Sequence, residues 1–93
     1  VEQPSFIKIF GLSPETRLLN LFLSRPGEPF KKSTISRLTG ISRTILSGIC
    51  SLMDDKHIIK NTNAGYVFNM YDSRSKNILD FYKKLKEDYD EIN

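Results

Sequence analysis

The stretch ISRLTGISRTILSGICSLMDDKHII, residues 35–59, sets out two helices on either side of a sharp turn. Ile35 and Leu38 stand three residues apart, the spacing of an inner face on a short helix that Ser33 can cap and that runs to about Thr39. Gly40 ends that helix, because glycine tolerates the left-handed backbone that turns the chain. Ser42 is the next cap, and the spacing predicts a helix over residues 42–55 with Ile45, Ile49, Leu52 and Met53 facing inward. Gly48 within it costs about 1 kcal/mol relative to alanine, which close approach to another backbone would explain.

Upstream, Ser13 can cap a helix, Pro14 suits its first position, and Glu15 favours the positive end of its dipole. That helix runs to about Leu23. Leu18, Leu19, Leu21, Phe22 and Leu23 cover nearly its whole circumference, the pattern of a centrally buried helix. Residues 25–29, with two prolines and a glycine, break it. Further upstream, Phe6, Ile7, Ile9 and Phe10 suit one side of a short helix or an ordered arm. Downstream, Ile58 and Ile59, the turn-rich residues 61–65 and the alternation from Tyr66 to Tyr71 predict a hairpin.

Asp72 or Ser73 caps a last helix with Phe81 and the stripe Ile78, Tyr82, Leu85, Tyr89 and Ile92, whose steps are four, three, four and three. These heptad steps continue past the point where a domain of this size could cover them. A second copy of the chain is the cheapest cover, with Phe6 and Ile9 as further contacts; packing wholly within its own domain is the alternative.

The 93 residues make one domain. Residues 1–12 are an arm or short helix, 13–71 the core and 72–93 a dimerisation helix. Val1 stands first without an initiator methionine, as in a segment with further chain upstream. Residues 1–79 hold eleven basic and six acidic side chains, net +5, and residues 80–93 hold three basic and five acidic, net −2. A basic body attracts polyanions, though a charge of this size is common. Cys50 and His57, each the lone residue of its kind, cannot form an internal disulfide or a structural zinc site, and a reducing cytoplasm suits the chain. No apolar run approaches a membrane span, so a soluble protein is expected. With no phosphate loop, metal spacing or paired carboxylates, the sequence calls for neither enzymatic activity nor a cofactor.

The order helix, helix, turn, helix, hairpin, helix resembles a winged helix-turn-helix domain, a mainly α fold with a small β-hairpin. Ile35, Ser36, Gly40, Ile41 and Ser42, continued by Arg43-Thr44-Ile45 with Ile49 and Leu52, are similar to the signature of prokaryotic MarR, ArsR and PadR-like regulators. The likeness covers about 60 residues, from Ser13 to Tyr71. Ser36 stands where alanine is usual and must satisfy its hydroxyl. Leu46 stands where a polar, groove-facing residue is common. It meets a thymine methyl, or the helix is rotated and Leu46 is half buried.

The resemblance implies a recognition helix in the DNA major groove, led by Ser42, Arg43, Thr44 and Ser47. Arg43 suits a bidentate contact to guanine, a phosphate clamp or a solvated surface. Asp54 and Asp55 at the other end require that Ser42 point toward the DNA. Lys31, Lys32, Ser33 and Arg37 are candidates for positioning on phosphates, and Lys60, Asn61, Thr62 and Asn63 stand where the wing is expected. The expected protein is a cytoplasmic, nucleoid-associated homodimer that binds double-stranded DNA as a transcriptional regulator, its recognition helices about 34 Å apart. The alternatives are an architectural or plasmid-partition protein that coats DNA and recruits a protein partner, and a winged-helix protein-interaction module.

Overall fold

The computed structural model describes residue 11 and residues 13–92, with side chains described through residue 85 and at residue 87. Helix α1, Pro14–Ser24, starts as its residues dictate: the Ser13 hydroxyl accepts from the Thr16 amide at 3.2 Å, and Pro14 opens the first turn. Leu18, Phe22 and Leu23 are buried, while Leu19 and Leu21 are only half-buried, so α1 keeps an outer side.

The chain then makes a single antiparallel bridge. Phe30 donates its amide to the Tyr66 carbonyl at 2.7 Å and accepts from the Tyr66 amide at 2.8 Å. This bridge, made outside the local sequence, carries the chain directly into helix α2, Lys32–Thr39. Lys31 therefore occupies the cap position with no side-chain cap bond, and Ser33 lies inside the first turn rather than capping it. Leu38 is exposed, not inward; Ile35 alone is buried on this short helix, and Ile41 enters the core beyond the turn.

That turn is tied by several local hydrogen bonds. Gly40 has φ of 76°, and its amide donates to the Ser36 carbonyl. Ser36 satisfies its hydroxyl by donating to the Ile41 carbonyl at 2.6 Å, and Thr39 donates to the Ile35 carbonyl at 2.6 Å. From α1, Arg17 donates through Nη1 to the Thr39 carbonyl at 2.8 Å, placing a cation at the negative end of α2.

Helix α3, Arg43–Asp55, begins at Ser42, whose hydroxyl accepts from the Ile45 amide. Its core face is Leu46, Ile49, Cys50 and Met53, with Leu46 at 0% exposure, whereas Ile45 and Leu52 are 51% and 56% exposed. The helix is thus rotated by roughly 60° from the orientation that the isoleucine spacing suggested. Two apolar stripes overlap at Ile49 and Met53, and the one that buries Leu46 with the small Cys50 leaves Thr44, Ser47 and Ser51 in water. Gly48 is exposed, and a Cβ there would meet nothing within 4 Å among the described residues, so no close approach accounts for it. His57 ends α3 with φ of 61°, and Ile58 donates back to the Met53 carbonyl.

Strands β1, Ile59–Thr62, and β2, Gly65–Phe68, form a hairpin in the register Ile59 with Phe68 and Thr62 with Gly65. Gly65 has φ of 128°, and a Cβ there would stand 2.5 Å from the Phe30 carbonyl carbon. Only glycine lets the hairpin dock on the Phe30 segment.

Helix α4, Ser73–Ile92, is capped by Asp72, whose Oδ1 accepts from the Arg74 amide at 2.9 Å. Leu79 and Tyr82 are buried, as is Ser75, which donates to the His57 carbonyl at 2.9 Å. Tyr82 therefore belongs to the chain's own core rather than to a seam between copies, because Leu79, outside the heptad stripe, turns that side of α4 inward. Ile78 and Leu85 are half-buried and Phe81 is half exposed. Phe6 and Ile9, and the side chains of Tyr89 and Ile92, lie outside the described residues. The first turn of α4 holds no acid and the last no base, an order against the helix dipole that costs about 0.3–1 kcal/mol per charge.

The fold is mainly helical with one small antiparallel hairpin, and among the described residues no helix is long and apolar enough to cross a membrane.

Three outcomes follow. Leu46→Ala should lower unfolding free energy in urea by about 2–5 kcal/mol, whereas Ile45→Ala should change it by less than about 1 kcal/mol; equal losses would contradict the rotation of α3. Gly65→Ala should cost about 2–5 kcal/mol through overlap and backbone strain, while Gly48→Ala should stabilise by about 1 kcal/mol. Asp72 is held below its ordinary 3.8, first by the Arg74 amide, against a smaller opposing effect of desolvation. Its charged cap thus contributes fully above that value and is lost as pH falls through the lower folded one. Thermal melts should show wild type losing its advantage over Asp72→Asn, which caps without titrating, as pH drops below 3.8.

Candidate nucleic-acid interface

The outward edge of α3 is built by its cap and its rotation. Ser42 fixes the helix start, and Arg43, Thr44 and Ser47 stand exposed on the first two turns. Leu46 does not join them, because it is wholly inside the core; the exposed apolar residue at this end is Ile45. Arg43 is the single long cationic side chain on the edge. Asp54 and Asp55 lie at the far end of the helix, so the edge runs from basic and polar to acidic.

Beside this edge lies a polar cleft of about 320 Å³ between the start of α2 and the hairpin. Lys31 and Lys32 wall it on one side, and Asn61, Thr62, Asn63, Gly65 and Tyr66 on the other. Its geometry follows from the Phe30 bridge, which seats β2 against the residue preceding Lys31. Because no side chain caps α2, its first amides are not spoken for by a capping group, and such amides favour an anion. Thr62 is occupied within the turn, donating to the Gly65 carbonyl and accepting from the Ala64 amide.

Lys32 joins the cleft to the helix edge. Its Nζ lies 3.4 Å from the Ser47 hydroxyl, as donor, and 6.0 Å from the centre of the Tyr66 ring. Burial pushes the Tyr66 phenol up from its ordinary 10.0, with the Cys50 and Asp54 charges adding to the effect, so the ring stays neutral beneath the ammonium. Burial likewise raises the Cys50 thiol, against a smaller opposite pull from Lys32, which leaves it an inert packing group near neutral pH.

The structure therefore brings together Lys31, Lys32, Asn61, Thr62 and Asn63 in one cleft, and Ser42, Arg43, Thr44 and Ser47 along one edge, with Lys32 and Ser47 as the junction. Ser33, Arg37 and Lys60 are exposed but do not line the cleft. Sequence reasoning missed Tyr66 and Gly65. The only local signal was the dense turn around Gly65; the bridge to Phe30, thirty-six residues before Tyr66, leaves no trace in spacing. Among the described residues no group of three His, Cys, Asp or Glu side chains could hold a metal ion. No protein-family model, curated protein or solved structure matches this chain.

Proposed function

We propose that this chain is a winged helix-turn-helix protein that binds double-stranded DNA as a homodimer, acting as a transcriptional regulator. The observation that supports the reading is the contact of Lys32 with Ser47, which sets a polar cleft walled by two lysines directly beside an exposed polar helix edge. On this reading α3 enters the major groove, with Arg43 directed at base edges or phosphate. The cleft takes a backbone phosphate on Lys31, Lys32 and the free amides of α2. The short hairpin, with Asn61 and Asn63 near its tip, contributes modestly along the backbone. An architectural or partition protein would use the same contacts, so the two differ in footprint: one compact inverted repeat for a regulator, an extended array for a coating protein.

A second reading has an observation of its own. Ile45 and Leu52 are exposed seven residues apart on α3, with the open Gly48 between them, a surface that suits packing on another protein. An interaction module of this kind would show no DNA binding even at low salt.

Fluorescence anisotropy with labelled duplexes separates the readings. Arg43→Ala should weaken binding by about 10- to 100-fold with the far-ultraviolet circular dichroism unchanged. Lys31→Ala should flatten the dependence of log K on log salt by about 0.9, the signature of one lost phosphate contact. Wild-type affinity in both variants would overturn the groove assignment.

A further inference from the structure

Arg17 reaches across the fold without meeting an acid. It stands one turn into α1, is half-buried, and makes no ion pair with any described residue. Its Nη1 donates to the Thr39 carbonyl, twenty-two residues on, at 2.8 Å, and its Nε is buried with no hydrogen-bond partner among the described residues. A cation that leaves water for a single carbonyl gains little stability, and a buried N–H without an acceptor loses some. Packing alone would favour an apolar side chain at this place. What the arginine supplies is geometric.

The acceptor belongs to the last residue of α2, and only Gly40 and Ile41 separate it from Ser42, the cap of α3. Ile41 is anchored in the core, and Ser42 by its bond to the Ile45 amide. Gly40 is exposed, with φ of 76°, and glycine is the residue whose backbone resists reorientation least. The direction of α3 relative to α2 therefore turns on Gly40. Arg17 lies against this pivot, for a Cβ on Gly40 would stand 3.6 Å from its Nη1. Two other bonds brace the turn: Thr39 Oγ1 accepts from the Ile41 amide at 3.3 Å, and Ser36 donates to the Ile41 carbonyl. Both are local, whereas the bond from Arg17 comes from a separate helix and ties the turn to the core.

We infer that Arg17 is a positioning residue for the proposed DNA contact, holding the Gly40 turn so that α3 meets the major groove in one orientation. The inference rests on the DNA-binding reading above and adds what makes that reading selective. Phosphate contacts tolerate a shifted helix, because charge acts at a distance, but hydrogen bonds to base edges do not. Loss of the clamp is therefore felt in discrimination between sequences and not in general affinity.

Arg17→Met tests this in the full chain, since it keeps a long flexible stem and removes the donor and the charge. Without DNA, amide hydrogen exchange at Gly40 and Ile41 should quicken by about 10-fold. The Phe30, Leu46 and Tyr66 amides, bonded elsewhere, should hold, and the urea midpoint should stay close to that of wild type. With DNA, fluorescence anisotropy compares a duplex selected by the wild-type chain from a random pool with a shuffled duplex of the same composition. Affinity for the selected duplex should fall by about 10-fold or more, while affinity for the shuffled duplex and its salt slope stay unchanged. Unchanged exchange at the turn, or exchange quickened throughout the chain with a lower urea midpoint, overturns the positioning role, as does full discrimination by the variant. A wild-type chain that shows no preference for any selected duplex overturns the sequence-reading function proposed above and this role with it; the earlier results overturn the role alone.

Discussion

The two backbone hydrogen bonds between Phe30 and Tyr66 govern the rest of this molecule. They bind the start of α2 to the middle of β2, and they are possible because Gly65 has no side chain to strike the Phe30 carbonyl. With the bridge in place, α2 begins at Lys32 with no side-chain cap on its first amides, and Lys31 and Lys32 wall a cleft that they share with the hairpin. The cation of Lys32 over the Tyr66 ring and against Ser47 then carries the same alignment into α3. One glycine contact thus sets the relation of three elements.

Local signals were legible in the sequence where the physics is local. Ser13, Ser42 and Asp72 cap the helices they precede, Gly40 takes the left-handed conformation, and Ser36 finds an acceptor five residues on. What failed was the choice between competing apolar faces. Ile45, Ile49 and Leu52 look like an inner stripe, yet Leu46, Ile49, Cys50 and Met53 form a better one once α1 and the hairpin supply its surroundings. The same error placed Leu38 inside and omitted Leu79. Periodicity measures where apolar residues recur along one helix; it does not measure what the neighbouring elements offer them.

The candidate site divides along the same line. Ser42, Arg43, Thr44 and Ser47 were readable because the residues nearest a helix start stand in a fixed relation to its cap. Leu46 was misread because its side of the helix depends on the rotation of α3, which the core decides. Tyr66 was invisible because its role depends on a pairing across the chain.

The proposed interface would gain from a second copy. Arg43 is the single cation on the outward edge of α3, and Lys31 and Lys32 supply the cleft, so one copy brings few charges to phosphate. Since the salt-dependent part of DNA affinity grows with each neutralised phosphate, a lone domain of this kind would bind weakly at physiological salt. Joining two copies makes the second engagement intramolecular and multiplies affinity without a new contact, provided that both edges reach the duplex together. In the proposed dimer that condition falls on whichever surface joins the two copies, because it fixes how far apart the two helix edges stand.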